Sequence, residues 1–195
     1  YSVRSEIGQY LPSWRPDFDY RMSVSANESL GGGVLLELSH EVDYLRWIFG
    51  PVDWVISNIS KQSDLDIDVE DSANVIMGFK SFNKNNAALT ASLNMDFIRH
   101  DALRKCIVIG EKGTLSWDGI LEKVEYFEKG GLDWSTIFSS KTDMRYTYRE
   151  EIQSFFNAIE NHEFPYISGF DGLQALTIVE AIKKSSSINS KVYLV

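Results

Sequence analysis

Strict alternation of apolar and polar residues marks the middle of the chain. Apolar side chains alternate with mixed ones over residues 73–79, and with small polar ones over residues 87–95. The polar segment 83–86 between them has the composition of a turn. Because successive side chains of a strand point to opposite faces, the pattern predicts a hairpin with one covered and one solvent-facing side.

Shorter apolar runs predict further strands around this hairpin. They are a single strand over 52–60, a second hairpin over 105–109 and 114–117, a strand over 124–127 and an edge strand over 192–195. The acidic stretch 64–71 and the Gly/Ser/Thr-rich stretch 129–145 are predicted as loops.

A periodicity near that of a helix predicts three helices. The first begins near Leu35 and ends at Gly50–Pro51, and the other two lie around 152–159 and 175–182. The apolar stripe of the first helix consists of Leu38, Val42, Leu45 and Phe49. Because strands occur in runs between helices, without regular strand–helix alternation, we predict an α+β fold with a large, mostly antiparallel sheet.

The first predicted helix also carries a polar flank. At helical spacing the flank presents His40, Asp43, Tyr44 and Trp47. An imidazole titrates near neutral pH, so His40 is a candidate general acid or base, with Glu37 one turn before it. The same residues also fit a structural histidine and an Asp43–Arg46 ion pair. No metal site is predicted, because Glu37, His40 and Asp43 lack a fourth nitrogen or sulfur ligand.

Two loops before the first helix have unusual composition. Gly31–Gly33 permits backbone conformations and close approaches that other residues resist, although a merely flexible turn has the same sequence. The glycine spacing does not fit a phosphate-binding loop. Farther upstream, Trp14, Arg15 and Arg21 could stack on a sugar and bind it through guanidinium groups. A solvated surface loop fits that composition equally well.

Overall composition limits the classes of partner. The 195 residues are 44% hydrophobic, which suffices for one core, and we predict a single domain over residues 1–195. The formal net charge of −9 argues against nucleic acid and anionic membranes as partners. No apolar run approaches the roughly 20 residues that span a bilayer. The lone Cys106 cannot form an internal disulfide, so we expect a reducing, cytoplasmic setting.

The glycine loop and first helix carry a recognisable order of residues: three glycines, apolar residues, an acid, His-x-x-Asp and Trp-x-x-Gly. This order resembles the second domain of the glucose–fructose oxidoreductase / inositol dehydrogenase / MocA family. Three further segments resemble that family in the same order along the chain. They are Val69–Ala73, Ile109–Leu115 and Asp171–Ser185.

The resemblance implies a fold and a missing partner domain. The implied fold is a large open, mostly antiparallel sheet with helices on one face, like the C-terminal domain of glyceraldehyde-3-phosphate dehydrogenase. Family members also carry a dinucleotide-binding half with a G-x-G-x-x-G turn, and this chain contains no such turn. We therefore expect that half to precede Tyr1 and to provide most of the binding of NAD or NADP.

The resemblance also assigns roles to site residues. It places His40 beside the substrate carbon that gains or loses hydride. The family's acid lies four residues before this histidine with a glycine between them, whereas Glu37 lies three residues before His40 without that glycine. Glu37 is thus a candidate catalytic residue or a support for the helix start. Gly32 and Gly33 are expected near the nicotinamide ring. The candidate substrate-binding residues are Trp14, Arg15, Arg21, Asp43 and Tyr44.

Together these observations predict the substrate-binding and oligomerisation domain of an NAD(P)-dependent oxidoreductase. Its substrate would be a sugar, a sugar nucleotide or a cyclitol, and the chain alone would be inactive. We expect a homo-oligomer, a dimer or a tetramer, assembled through the sheet. Two alternatives remain open: an NAD-dependent glycosidase of the same family, and a binding or dimerisation module without catalysis.

Overall fold

The computed structural model describes residues 2–80, 88–141 and 144–194. Its largest element is a nine-stranded sheet. Its strands are β1 (Ser2–Gly8), β2 (Val52–Ser60), β3 (Ser72–Phe79), β4 (Thr90–Asp96), β5 (Leu103–Ile109), β6 (Gly113–Asp118), β7 (Lys123–Glu128), β8 (Ser135–Ser139) and β9 (Val192–Tyr193). Across the sheet they follow the order β8-β7-β6-β5-β1-β4-β3-β2-β9. Only the β1–β4 pair is parallel among them, so the predicted mostly antiparallel sheet is confirmed.

Two strands were not predicted from the sequence. In β1 the alternation is concealed because Ser5, a polar residue, points into the core and is buried. The loop predicted over 129–145 is wrong in part, because β8 lies within it and pairs with β7 at the edge of the sheet. All five residues of β8 are exposed, so no apolar face marks it in the sequence. The turn predicted over 83–86 lies outside the described residues.

Four helices accompany the sheet in the described part of the chain: α1 (Val34–Glu37), α2 (Ser39–Phe49), α3 (Met144–Glu160) and α4 (Gly169–Ile188). The prediction of one continuous helix from near Leu35 to Gly50 is wrong. Leu38 interrupts it with φ −102° and ψ 20°, which lie outside the helical range. Leucine favours helices, so its own propensity does not predict this break.

The core lies between one face of the sheet and the helices α1, α2 and α4. Along the strands, alternate residues such as Val55, Val75 and Leu93 are buried there. Polar contacts fix α4 on β2: the backbone N–H of Ser57 donates to Oγ of Ser185, and Oγ of Ser57 donates to the carbonyl of Ile182. The helices therefore cover one face of the sheet, as predicted.

In the described part of the chain, the opposite face of the sheet is exposed across β2, β3 and β4. Register places Ile56 beside Ile76, and Ile76 beside Ser92, and both isoleucines are exposed. The next row on that face pairs Asn74 with two other asparagines, Asn58 and Asn94. The result is a surface of small polar groups with two apolar side chains at its centre.

Helix α3 also shows an apolar side to solvent. Ile152, Phe155, Phe156 and Ile159 are each more than half exposed. The segment after the helix adds Phe164 and Tyr166, which are exposed as well. Unlike α4, then, α3 does not bury its apolar stripe against the sheet face.

Candidate active site

The glycine loop is shaped by close packing of its backbone. Gly33 has φ +106°, in the region that favours glycine, and a Cβ there would collide with the carboxylate of Glu70. A Cβ on Gly32 would collide with the carbonyl oxygen of Val24. Glu70 in turn caps α1, because its Oε1 accepts a 3.1 Å hydrogen bond from the backbone N–H of Leu35. The glycines thus let α1 begin against Glu70.

The amide groups of this loop are already engaged. The N–H of Gly32 donates to the carbonyl of Asn27 at 2.9 Å, and the N–H of Gly33 donates to the carbonyl of Ser25 at 3.1 Å. Both glycines are buried. The loop therefore offers neither N–H group to a phosphate, and its predicted place near a nicotinamide ring stays a prediction.

A cleft of about 270 Å³ opens beside the junction of α1 and α2. Its polar and aromatic wall consists of Gln9, Trp14, Glu37, His40 and Arg104. The remaining wall is largely apolar and includes Leu103 and Ile120. Three residues predicted for the site, His40, Glu37 and Trp14, thus come together at one cavity.

His40 stands between this cleft and a buried carboxylate. Its side chain is 50% exposed, and its Nε2 lies 3.3 Å from Oε1 of Glu41. Glu41 is fully buried. The same Oε1 accepts a 2.8 Å hydrogen bond from Nε of Arg104, whose guanidinium also lies 5.1 Å from the ring centre of Trp117. An imidazole, a carboxylate and a guanidinium therefore meet at the wall of the cleft.

Glu37 has a different partner. Its Oε2 accepts a 2.9 Å hydrogen bond from Oγ of Ser25. This bond ties the end of α1 to the segment that also receives the N–H of Gly33. Glu37 remains on the cleft wall, yet the carboxylate placed against the imidazole is that of Glu41.

Tyr44 and Asp43, predicted to bind substrate, lie away from the lining of this cleft. The phenol oxygen of Tyr44 lies 2.6 Å from Oγ of Ser5, and its ring packs edge-on against Trp117. Burial and, secondly, the charge of Glu41 raise the pKa of Tyr44, so the phenol stays neutral. Asp43 is partly exposed, and its Oδ1 lies 3.7 Å from Nη2 of Arg46.

The two predicted arginines are also outside the cleft. Arg15 lines a separate small hollow with Phe18 and Tyr20, which shares only Trp14 with the cleft. Arg21 forms a surface ion pair with Asp19, where Nη2 and Oδ2 are 2.7 Å apart. This pairing raises the pKa of Arg21 and lowers that of Asp19. Their roles in substrate binding stay predictions.

Sequence reasoning missed Glu41 and Arg104. A signal for Glu41 was present, because it sits one turn after Leu38 and beside Val42, on the apolar stripe of the helix. An acid on such a stripe is a candidate buried charge that needs a partner. Arg104 comes from strand β5, sixty-three positions away, and no local pattern connects the two.

Residues 2–80, 88–141 and 144–194 contain neither a metal-binding cluster nor a membrane-spanning helix. No group of three or more His, Cys, Asp or Glu side chains there could hold a metal ion. No helix of these segments is both long enough and apolar enough to cross a membrane.

Comparison with known proteins assigns the chain, as a whole, to a family. A family model described as "Oxidoreductase family, C-terminal alpha/beta domain" matches residues 5–194. The chain belongs to this family. The resemblance to the glucose–fructose oxidoreductase, inositol dehydrogenase and MocA proteins is thereby confirmed. Myo-inositol 2-dehydrogenase of Thermotoga maritima is 30% identical over 164 residues, which cover 80% of this chain and 47% of that protein.

Solved structures of several dehydrogenases share the fold of this chain. Levoglucosan dehydrogenase in complex with NADH and levoglucosan has a TM-score of 0.80 at 19% identity, covering 99% of this chain and 58% of that one. The WlbA dehydrogenase of Bordetella pertussis, in complex with NADH and UDP-GlcNAcA, has a TM-score of 0.75 at 20% identity. The match covers 100% of this chain and 55% of that one. The chain spans about half the length of these relatives.

Proposed function

We propose that this chain is the substrate-binding and oligomerisation domain of an NAD(P)-dependent oxidoreductase. The substrate class is a hydroxyl or carbonyl of a sugar, a sugar nucleotide or a cyclitol. Support comes from the family, whose relatives include an inositol dehydrogenase, and from fold neighbours solved with NADH and carbohydrate ligands. The observation that carries the proposal is the half-exposed imidazole of His40 on a cleft wall, backed by a buried carboxylate.

His40 is the proposed general acid and base. In the oxidative direction it takes the proton of the substrate hydroxyl, and in the reductive direction it returns that proton to the carbonyl oxygen. The other walls suit a polyhydroxylated ring, because Trp14 offers an aromatic surface while Gln9 and Arg104 offer hydrogen-bond donors. The ring of Trp14 is held for this task by its Nε1, which donates to the carbonyl of Gln9 at 3.1 Å.

The redox partner is proposed to be NAD or NADP, whose nicotinamide accepts or supplies the hydride when it is bound. The residues described here do not fit the task of holding its pyrophosphate. The glycine loop has no free N–H for a phosphate, and the chain lacks a G-x-G-x-x-G turn. We assign cofactor binding mainly to another part of the protein.

Assembly is proposed to use the open face of the sheet. The row of Asn58, Asn74 and Asn94 can exchange hydrogen bonds with a second copy, while Ile56 and Ile76 supply apolar area at its centre. Burial of apolar surface contributes roughly 25 cal/mol per Å². Light scattering on a variant with Ile76→Lys should show dissociation, and unchanged association would argue against this face.

The test of the catalytic proposal uses His40→Ala in the polypeptide that includes the cofactor-binding half. Single-turnover hydride transfer to NAD(P) should slow by about 10²–10⁴-fold, the usual effect of removing a positioned general acid or base. Cofactor affinity should change little. His162→Ala, in the turn after α3, serves as the matched control. A His40→Ala rate within about threefold of the parent, under 1 kcal/mol of barrier, contradicts the assignment.

A further inference from the structure

We infer that Glu41 is the positioning residue of His40. Its buried carboxylate lies 3.3 Å from Nε2 of the imidazole, so the other ring nitrogen, Nδ1, is left to exchange a proton with the substrate. This inference rests on the proposed function of His40. It makes Glu41, rather than Glu37, the carboxylate that orients His40.

The first support is the burial of Glu41. Its side chain is completely excluded from solvent, and its Oε2 has no hydrogen-bond partner among the described residues. Removing a carboxylate from water is costly unless it is paired and hydrogen-bonded. Among the described residues only Oε1 is engaged: it accepts a hydrogen bond from Nε of Arg104 and lies 3.3 Å from Nε2 of His40, and both of these residues line the cleft.

The second support is the set of groups around this carboxylate. Burial raises the pKa of the Tyr44 phenol and of the Cys106 thiol, and the charge of Glu41 acts on both in the same direction. Both are therefore neutral near pH 7. Among the described residues, the cationic groups within ion-pair distance of Glu41 are Arg104 and, once it has taken a proton, His40.

The third support is the direction of charge change during reaction. When the substrate alcohol is oxidised, its O–H proton goes to Nδ1 of His40, while bound NAD or NADP would accept the C–H hydrogen as a hydride. The imidazole then gains a positive charge, 3.3 Å from Oε1 of Glu41. A fixed carboxylate at this distance stabilises the imidazolium more than the neutral ring, which is the requirement for lowering the barrier.

Glu37 does not fulfil this role equally well. Its Oε2 is held by Oγ of Ser25, and the joint at Leu38 separates its helix from the one that carries His40. Glu41, by contrast, belongs to the same helix as His40 and follows it directly. The pair therefore moves as one unit.

A double-mutant cycle tests the inference, in the polypeptide that includes the cofactor-binding half. Glu41→Gln should slow single-turnover hydride transfer by about 10–100-fold, the usual effect of losing a residue that orients another, with KM for the substrate changed less than about threefold. In a His40→Ala background the same substitution should change the rate by less than about threefold, because its effect passes through the imidazole. Glu180→Gln, which breaks an exposed pair with Lys183, is the control.

Each outcome has a distinct meaning. A normal rate for His40→Ala removes the proposed function itself. Two outcomes leave the function intact and overturn the inference. In one, hydride transfer is slow in His40→Ala but has the parent's rate in Glu41→Gln. In the other, Glu41→Gln slows hydride transfer equally with and without His40. If Glu41→Gln does not fold, Glu41→Asp replaces it, since it keeps the charge opposite Arg104 with a shorter reach. An Asp variant with the parent's rate also overturns the inference.

Discussion

Nη2 of Arg46 in α2 lies 2.8 Å from Oδ1 of Asp171 in the first turn of α4, although 125 positions separate them in the chain. The other carboxylate oxygen of Asp171 accepts hydrogen bonds from the backbone N–H and the Oγ of Ser168, which completes a capping box. One carboxylate thus begins α4 and also joins it to the helix that carries His40.

This arrangement makes folding stability depend on acid pH. The Ser168 hydrogen bonds, followed by that of Arg46, lower the pKa of Asp171 from 3.8 to about 2. A lowered pKa in the folded state adds stability that is fully present above about pH 4 and is lost as the pH falls through about 2. Asp171→Asn should therefore lower the melting temperature at pH 7. The difference in melting temperature between this variant and the parent should shrink as the pH falls from about 4 to about 2. Asp133→Asn, in an exposed loop, is the control, and a difference independent of pH would contradict the prediction.

Gly33→Ala should destabilise the chain by about 2–4 kcal/mol, because the positive φ and the approach of Glu70 both resist a Cβ. Gly172→Ala is a matched control in α4, where a Cβ meets nothing within 4 Å. That control should be neutral or stabilise by up to about 1 kcal/mol, since alanine favours helices. Urea denaturation of the two variants measures both effects, and equal stabilities would show that the glycine loop tolerates side chains.

Cys106 should resist thiol reagents in the folded chain. Burial raises the pKa of its thiol to about 11, the charge of Glu41 adds to this, and the Tyr44 hydrogen bond opposes it. At pH 8 only about one thiol in 10³ is then ionised, and the thiolate is the reactive form. Disulfide-exchange labelling should be slow in native protein, fast in denaturant, and fast for a cysteine placed at the exposed Ser139. Rapid native labelling of Cys106 would mean that β5 opens readily.

Hydrogen exchange should separate α3 from α4. In α3 the large apolar side chains Ile152, Phe155, Phe156 and Ile159 are more than half exposed. In α4, by contrast, Ile178, Val179 and Ile182 are buried on the sheet. Backbone amides in elements with few buried contacts open at low free-energy cost. We expect α3 peptides to exchange much faster than α4 peptides in the 195-residue chain. Equal protection would show that another surface covers α3 in solution.

The sequence predicted those elements whose apolar pattern the tertiary structure uses directly. Strands β2 and β3 follow their predicted limits within one residue. In β3 the side that alternation marks as apolar is also the side that packs. Ser5 conceals β1, since a serine facing the core pairs with Tyr44 rather than with apolar neighbours. The edge strand β8 buries nothing and therefore leaves no pattern.

In the candidate site, too, the sequence did not predict what depends on tertiary contacts. His40 was accessible to sequence reasoning, because its residue type and helical context suggest proton exchange. Glu41 could be predicted as its partner only with the knowledge that this side chain points inward, toward Arg104 of β5. The predicted loop arginines show the converse. Arg21 has the right chemistry for a sugar, but its nearest carboxylate, Asp19, already occupies the guanidinium.

The joint at Leu38 makes the motif around the histidine tolerant of insertions and deletions. In a continuous helix, adding or removing one residue rotates everything after it by about 100°. A residue outside the helical range interrupts that register, so α1 can stay anchored through Glu70 and Glu37 while α2 keeps its own orientation. The chain has one residue fewer between acid and histidine than the family pattern. An alignment of related chains should therefore ask whether a carboxylate lies before or after the break at Leu38. That position is a better guide to the role of the carboxylate than the number of residues between it and the histidine.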